Sequence, residues 1–163
     1  MNGTPHAKRL EKELVETRAE LAKEILELRP EDLGWAPKEG MKTYQALLQE
    51  IGTMEQLCTR WLTQKVMLSW PEVDASLAAA ASDPASILRA LEAIRAETLQ
   101  YLRDCTEESL ETPIEVAPDW HQYMGAELEP EEFVRWISRH EYYHLGQIIS
   151  YRWIQGNNPY KQP

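Results

Sequence analysis

The sequence lacks several features that mark common classes of protein. It contains two cysteines, Cys58 and Cys105, and both fall inside helical patterns rather than in a loop-rich disulfide framework. This usage indicates small buried hydrophobic residues in a reducing compartment. Glycine-rich phosphate loops, Cys-x-x-Cys pairs and Gly-x-Ser-x-Gly motifs are all missing. Their absence argues against the usual nucleotide-binding, redox and serine-hydrolase functions.

Positive charge and long apolar runs are also scarce. There are 17 basic against 27 acidic side chains, a net charge of −10, and no basic cluster. Phosphate contacts are made by Lys and Arg, so we expect neither nucleic acid nor an anionic membrane surface as a partner. No apolar run approaches the roughly 20 residues that span a bilayer. The first residues are polar, without the apolar stretch of a signal peptide, so we expect a cytoplasmic protein.

The periodic part of the sequence predicts four helices in a single domain, residues 1–163. Proline and capping residues mark where they start and stop. The starts are Thr4-Pro5, Thr43, Asp83-Pro84 and Pro130, and the ends are Arg29-Pro30, the residues before Trp70-Pro71, and Gly156. The segment 106–129 is irregular and predicts an ordered crossover with a short strand around Ile114 to Val116. We therefore predict an all-α, four-helix bundle with a long crossover between helices 3 and 4.

Polar residues interrupt the inward face of the last helix. His140, His144 and Gln147 continue the stripe formed by Phe133 and Ile137. Histidines at positions i and i+4 lie close enough for both imidazoles to bind one ion. The alternative is a pair of core histidines that are hydrogen-bonded to the backbone or to nearby tyrosines. We favour a metal site, with Gln147 beside it.

Glu50 interrupts the second helix in the same way, between Leu47 and Met54. A buried carboxylate must be protonated, ion-paired or bound to a cation. An ion pair with Arg18 or Arg95, or a rotation that leaves Glu50 partly exposed, would also explain it. Together with His140 and His144, Glu50 would make a three-ligand site with room for water or substrate, as in catalytic metal centres.

Residues 140–144 also match the His-Glu-x-x-His signature of metallopeptidases, in which the glutamate is the general base. We regard this function as the weaker one, because no His, Asp or Glu follows His144 to supply the usual downstream ligand. Glu141 lies off the inward stripe, which favours a solvated position or one next to a ligand.

Further candidates are large side chains near the predicted site. Met54, Trp61, Trp136 and Tyr143 could wall a substrate pocket, although aromatic residues at helical spacing more often belong to a core. The two other histidines, His6 and His121, are explained by surface positions.

Three motifs make the sequence resemble the DinB-like family of metal-binding four-helix bundles, which includes bacterial thiol S-transferases. The last helix carries His-x-x-x-His followed by Gly146-Gln147. The second helix carries Glu50-Ile51, followed by Glu55 and Trp61. The family has a metal-binding histidine before this isoleucine, at the position of Glu50. The loop Leu33-Gly34-Trp35-Ala36-Pro37 is similar to the family's approach to that helix.

The resemblance implies a metal-dependent transferase, hydrolase or isomerase acting on a small thiol or thiol adduct, with a homodimer as its assembly. Two positions depart from the family pattern: Glu50 replaces a histidine, and Leu145 replaces a basic residue before the Gly-Gln pair. Zinc or nickel is the expected metal, and the carboxylate allows iron or manganese. The alternative is a stress-response or binding protein without turnover, whose metal site is vestigial.

Overall fold

The computed structural model describes residues 3–80 and 83–158, in which seven α-helices and one small sheet occur. The four longest helices are α1 (Pro5–Leu26), α2 (Tyr44–Gln64), α4 (Pro84–Asp104) and α7 (Pro130–Ile154). Shorter helices are α3 (Trp70–Ala80), α5 (Glu107–Glu111) and α6 (His121–Met124). The two strands, β1 (Ile114–Glu115) and β2 (Glu127–Leu128), pair antiparallel. The prediction of an all-α class is confirmed, although three helices were not predicted.

The long helices pack side by side, with α1 and α2 each contacting both α4 and α7. Their apolar faces meet in a core whose largest cluster includes Leu21, Tyr44 and Leu91, none of which has exposed surface. None of the described helices is both long enough and apolar enough to cross a membrane.

The predicted helix starts are found where capping residues were identified. Thr4, Thr43 and Asp83 each accept a hydrogen bond from a backbone N–H of the first turn, which satisfies a donor that the helix leaves unpaired. Proline occupies the first turn of α1, α4 and α7, where its missing N–H costs nothing. The last helix ends at Ile154, two residues before Gly156, whose φ is +89°.

The segment between the second and third predicted helices contains a helix that was not predicted. The second helix ends at Gln64, before Trp70-Pro71 as predicted, but Pro71 then lies in the first turn of α3. This helix covers α2 through Val73 and Leu77, which join Leu57 and Ile94 in a third core cluster. Gly52 lies beneath it: a Cβ there would come within 2.8 Å of both Leu77 Cδ1 and Leu91 Cδ2.

The crossover between α4 and α7 is ordered. Its strand prediction around Ile114 to Val116 is met by β1, which pairs with β2, and Val116 N–H donates to Ala126 O. Trp61 of α2 fastens β1 to the helices, because its indole Nε1–H donates to Glu115 O at 2.9 Å. The crossover is thereby held against the end of the helices near α6.

Four charged side chains lie inside the core, one from each long helix. Arg18, Glu55, Arg95 and Glu141 are each at most 3% exposed. Arg18 Nε donates to Glu141 Oε1 at 2.8 Å and Arg18 Nη2 to Glu55 Oε2 at 2.9 Å. Arg95 Nε donates to Glu55 Oε1 at 2.6 Å, and its Nη2 donates to Glu141 Oε2. We call these residues the buried charge quartet; its formal charges sum to zero.

The quartet corrects two expectations. Glu141, expected to be solvated or next to a ligand, is 1% exposed and belongs to the core. Arg18 and Arg95, considered as partners of Glu50, bind Glu55 and Glu141 instead.

Candidate metal centre

Two helices bring three potential ligands together. Glu50 lies in the second turn of α2, while His140 and His144 are one turn apart in the middle of α7. One ligand atom from each of the three lies within 4.8 Å of the others. His144 Nε2 is 3.2 Å from His140 Nε2 and 3.7 Å from Glu50 Oε2. The residues predicted from sequence as metal ligands therefore converge on one point between α2 and α7.

The separation of the two nitrogens suits a small divalent cation. Nitrogens bound at 2.0–2.1 Å in a tetrahedral arrangement lie about 3.3 Å apart. A neutral imidazole carries one N–H, so the 3.2 Å contact also allows one ring to donate to the other. Binding of a cation requires the His140 proton on Nδ1, which leaves both Nε2 lone pairs directed at the ion.

The orientation of His144 is set by Gln147. The ring Nδ1 lies 2.7 Å from Gln147 Oε1, which can only accept, so His144 Nδ1 carries a proton and, in the neutral ring, Nε2 carries the lone pair. Gln147 Nε2 in turn donates to the Tyr143 hydroxyl at 3.3 Å. A partner that holds the distal N–H of a histidine is typical of metal-binding imidazoles.

His140 is neutral under ordinary conditions. Burial, and next the neighbouring His144, lower the pKa of His140 to about 4. A neutral imidazole is the form that binds metal, since a protonated ring has no free lone pair. His144 is 4% exposed, so its ring is removed from bulk water, while His140 is partly buried.

Glu50 is less buried than its place on the stripe suggested. Its side chain is 20% exposed, and Oε2 accepts a hydrogen bond from the ammonium group of Lys42. Lys42 lies in the loop before α2 and was not identified from sequence; its position eight residues before Glu50 gives no helical spacing that could reveal the pair. The lysine neutralises the carboxylate at the point where a cation would do the same.

The three potential ligands line a cavity of about 420 Å³, which we call the ligand cavity. Its wall also contains Lys42, Tyr143 and Gln147. Met54 and Trp136, predicted as pocket residues, line a neighbouring cavity that shares Glu50 with this one. Trp61 lines neither, because it is packed beside the crossover.

The buried charge quartet removes the metallopeptidase interpretation. Glu141, the glutamate of the His-Glu-x-x-His sequence, is bound by both Arg18 and Arg95 inside the core. A general base must reach the water that it deprotonates. Glu141 is 1% exposed and does not line the ligand cavity.

A second group of potential ligands, His6, Glu107 and Glu111, lies where α1 meets α5. His6 is partly buried rather than on the open surface, with its side chain 13% exposed. Both ring nitrogens face carboxylates: Nδ1 lies 3.4 Å from Glu107 and Nε2 lies 2.9 Å from Glu131. His121 is exposed, with Nε2 2.8 Å from Val116 O.

Residues 13–148 match a family model described as the DinB superfamily. The match covers most of the chain and includes all three potential ligands. It confirms the resemblance seen in the sequence motifs. No curated protein matches the chain.

Proposed function

The chain belongs to the DinB superfamily, and from this membership we propose that it is an enzyme that binds one divalent cation and acts on a small thiol or thiol adduct. Glu50, His140 and His144 would hold the cation. The observation that supports this most directly is the convergence of their ligand atoms within 4.8 Å at the wall of a cavity. Two imidazoles favour zinc or nickel, while the carboxylate also suits iron or manganese.

Three protein ligands leave a coordination position for a substrate atom. A bound divalent cation lowers the pKa of a coordinated thiol or water, which makes it nucleophilic near neutral pH. The protein's own contribution is orientation: Gln147 fixes the His144 ring, and Tyr143 holds the Gln147 amide. Lys42, released from Glu50 when a cation takes its place, would present an ammonium group to an anionic part of the substrate at the same cavity.

We also propose that α1, α2, α4 and α7 form a four-helix bundle and that the chain is one domain. Metal sites in such bundles are built from side chains on facing helices, as Glu50 and the two histidines are here. The shorter helices then serve as additions that cover one side and one end of the bundle.

The test is a metal titration of protein stripped with a chelator. Zinc, nickel, manganese and iron(II) would each be titrated at fixed pH into the parent, His144→Ala, Glu50→Gln and Glu50→His. We expect one site per chain, loss of that site in His144→Ala, and affinity weakened by about tenfold to a hundredfold in Glu50→Gln, as for other losses around metal sites. Glu50→His would restore three nitrogens and shift preference towards zinc or nickel.

Two variants serve as controls for unspecific histidine binding. His121→Ala removes an exposed histidine far in sequence from the site, and His6→Ala removes the second cluster. Both should bind metal as the parent does. If Glu50→Gln retains the parent's affinity for every metal while His144→Ala loses it, the carboxylate is not a ligand. Unchanged binding in His144→Ala would rule out the site itself.

A specific observation favours a second candidate, a binding protein without turnover. The Lys42–Glu50 ion pair already neutralises the carboxylate, so this chain has no need of a cation to balance the charge. Lys42→Ala distinguishes the two functions: an enzyme should bind metal more tightly once the competing ammonium is removed, whereas a vestigial site should stay weak. Measurement of thiol consumption with zinc-loaded parent protein completes the comparison.

A further inference from the structure

A second cavity lies next to the ligand cavity and shares Glu50 with it. Its volume is about 340 Å³, within the range of small-molecule sites. The rest of its wall is formed by two methionines and four aromatic residues: Met54, Met124, Trp70, Trp120, Tyr123 and Trp136. We call this space the aromatic cavity.

The wall of the aromatic cavity is assembled from four separate parts of the chain. Met54 comes from α2, Trp70 from the first turn of α3, and Trp136 from α7, while the crossover supplies the others. Trp120 packs against Phe133 of α7, with ring centroids 6.5 Å apart, and joins two of the core clusters. The crossover is also fixed by the bond from Trp61 to Glu115. The cavity is therefore bounded by anchored elements.

The chemistry of the wall selects an apolar ligand. Of its lining residues Glu50 alone carries a charge, and that charge is paired with Lys42 or would be paired with a bound cation. A cationic ligand would thus find no free carboxylate. Indole rings and thioethers offer large, polarisable surfaces to an aromatic or branched apolar group. The two most exposed rings, Tyr123 at 68% and Trp70 at 37%, leave apolar surface that a ligand could cover.

We propose that the aromatic cavity binds a neutral aromatic or branched apolar group of a substrate whose coordinating atom lies across Glu50 in the ligand cavity. This inference rests on the proposed function, and it specifies the substrate class as a small molecule with an apolar group attached close to a sulfur or other metal-binding atom. Glu50 stands at the boundary of the two spaces, so one short ligand occupies both.

The first experiment tests the cavity without any metal. The neutral naphthalene dye prodan is titrated into chelator-treated protein, and its blue shift and energy transfer from tryptophan are recorded. We expect saturable binding in the parent and in His144→Ala, and at least about fivefold weaker binding in Tyr123→Ala and Met124→Glu. Tyr142→Ala is the matched control, because Tyr142 is 64% exposed, like Tyr123, but does not line the aromatic cavity. Equal prodan affinity in the parent, Tyr123→Ala and Met124→Glu would overturn the assignment.

The second experiment tests whether the two cavities serve one ligand. Acetohydroxamate and 2-naphthohydroxamate share a metal-binding head and differ in their apolar group. On zinc-loaded parent protein the naphthyl compound should bind at least about tenfold more tightly, the gain expected from burying an aromatic group. Tyr123→Ala and Met124→Glu should reduce that ratio while leaving acetohydroxamate unchanged. An equal affinity for both hydroxamates would overturn the shared-ligand proposal.

Failure of the metal site is recognisable on its own. If the protein binds no zinc but still binds prodan in a way that depends on Tyr123 and Met124, the aromatic cavity is a binding site. The proposed function and the shared ligand would then both be wrong. If the protein binds zinc, but prodan binds the parent and the cavity variants equally and the two hydroxamates bind with equal affinity, the proposed function stands and this inference fails. Circular dichroism of each variant ensures that weak binding does not reflect unfolding.

Discussion

At the scale of single residues, Glu55 receives hydrogen bonds from two guanidinium groups and from the Thr98 hydroxyl, all inside the core. Removing one charge from a buried network leaves its partners uncompensated. We therefore expect Glu55→Gln to lower the free energy of unfolding by about 3–5 kcal/mol. Urea denaturation at pH 7 measures the change. Glu92→Gln, at an exposed position of α4, is the control and should stay within about 0.5 kcal/mol of the parent.

The same residue predicts how stability responds to acid. Burial by itself raises the pKa of Glu55, but Arg95 and Arg18 outweigh burial and hold its pKa below the ordinary 4.5. A lowered folded-state pKa contributes stability that is complete above 4.5 and is lost as pH falls from there through the folded pKa.

We expect the parent's unfolding free energy to fall steeply between pH 5 and 3, and the difference between parent and Glu55→Gln to shrink over that range. Urea denaturation at half-unit pH steps would show this. A constant difference across the range would mean that the ion pairs of Glu55 contribute nothing to acid sensitivity.

Residue patterns located His140, His144 and Glu50 but did not place Glu55 or Glu141 in the core. Periodicity put Glu141 off the inward stripe, and only the arginine partners on other helices make these two carboxylates acceptable in the core. Lys42 was missed for a related reason: its contact with Glu50 depends on how the loop before α2 folds back. Contacts between distant segments are not encoded in the local spacing of polar residues.

At the scale of elements, a cation held by Glu50 and the two histidines would join α2 to α7. A ligand that binds only the folded state stabilises it in proportion to the logarithm of its concentration over Kd, by about 2.7 kcal/mol at a hundredfold excess over Kd. We expect the chain to fold in EDTA, since its core is large, and to melt at higher temperature with zinc or nickel. Identical melts at saturating zinc, nickel, manganese and iron(II) would contradict a native metal site, and His144→Ala is the control that should not respond.

Helix starts were predictable because each rests on local chemistry. Thr43 and Asp83 cap their helices through hydrogen bonds to residues three positions away, which sequence alone displays. The helix α3 was missed because Pro71 is equally compatible with the end of one helix and the first turn of the next. Its burial against Gly52 of α2 depends on tertiary packing, which spacing does not reveal.

At the scale of the whole molecule, α7 exposes apolar surface on the side away from the core. Tyr142, Tyr143, Trp153 and Ile154 are each more than half exposed, and Gly146 lies between them with open space above it. Such a strip suits a second copy of the same helix. We expect light scattering to give twice the chain mass of 18.9 kDa.

Gly146→Arg should shift this equilibrium towards the monomer, because a long charged side chain would stand in the centre of the strip. Arg89→Ala, a change at an exposed position of α4, is the control. A strict monomer for the parent over a wide concentration range would exclude the homodimer.

The buried charge quartet also constrains the order in which the chain folds. Its four members come from the four long helices, and the pairs they form span 37 to 123 residues of sequence. When only three of the four helices have met, the positive and negative charges that are present do not balance, and the excess charge must keep its hydration. Helix formation and first collapse can therefore proceed early, but expulsion of the last water from the centre has to wait for α7. The core therefore becomes dry late in folding, when the four charges balance. A chain truncated before Glu141 would keep water and an excess positive charge in its interior.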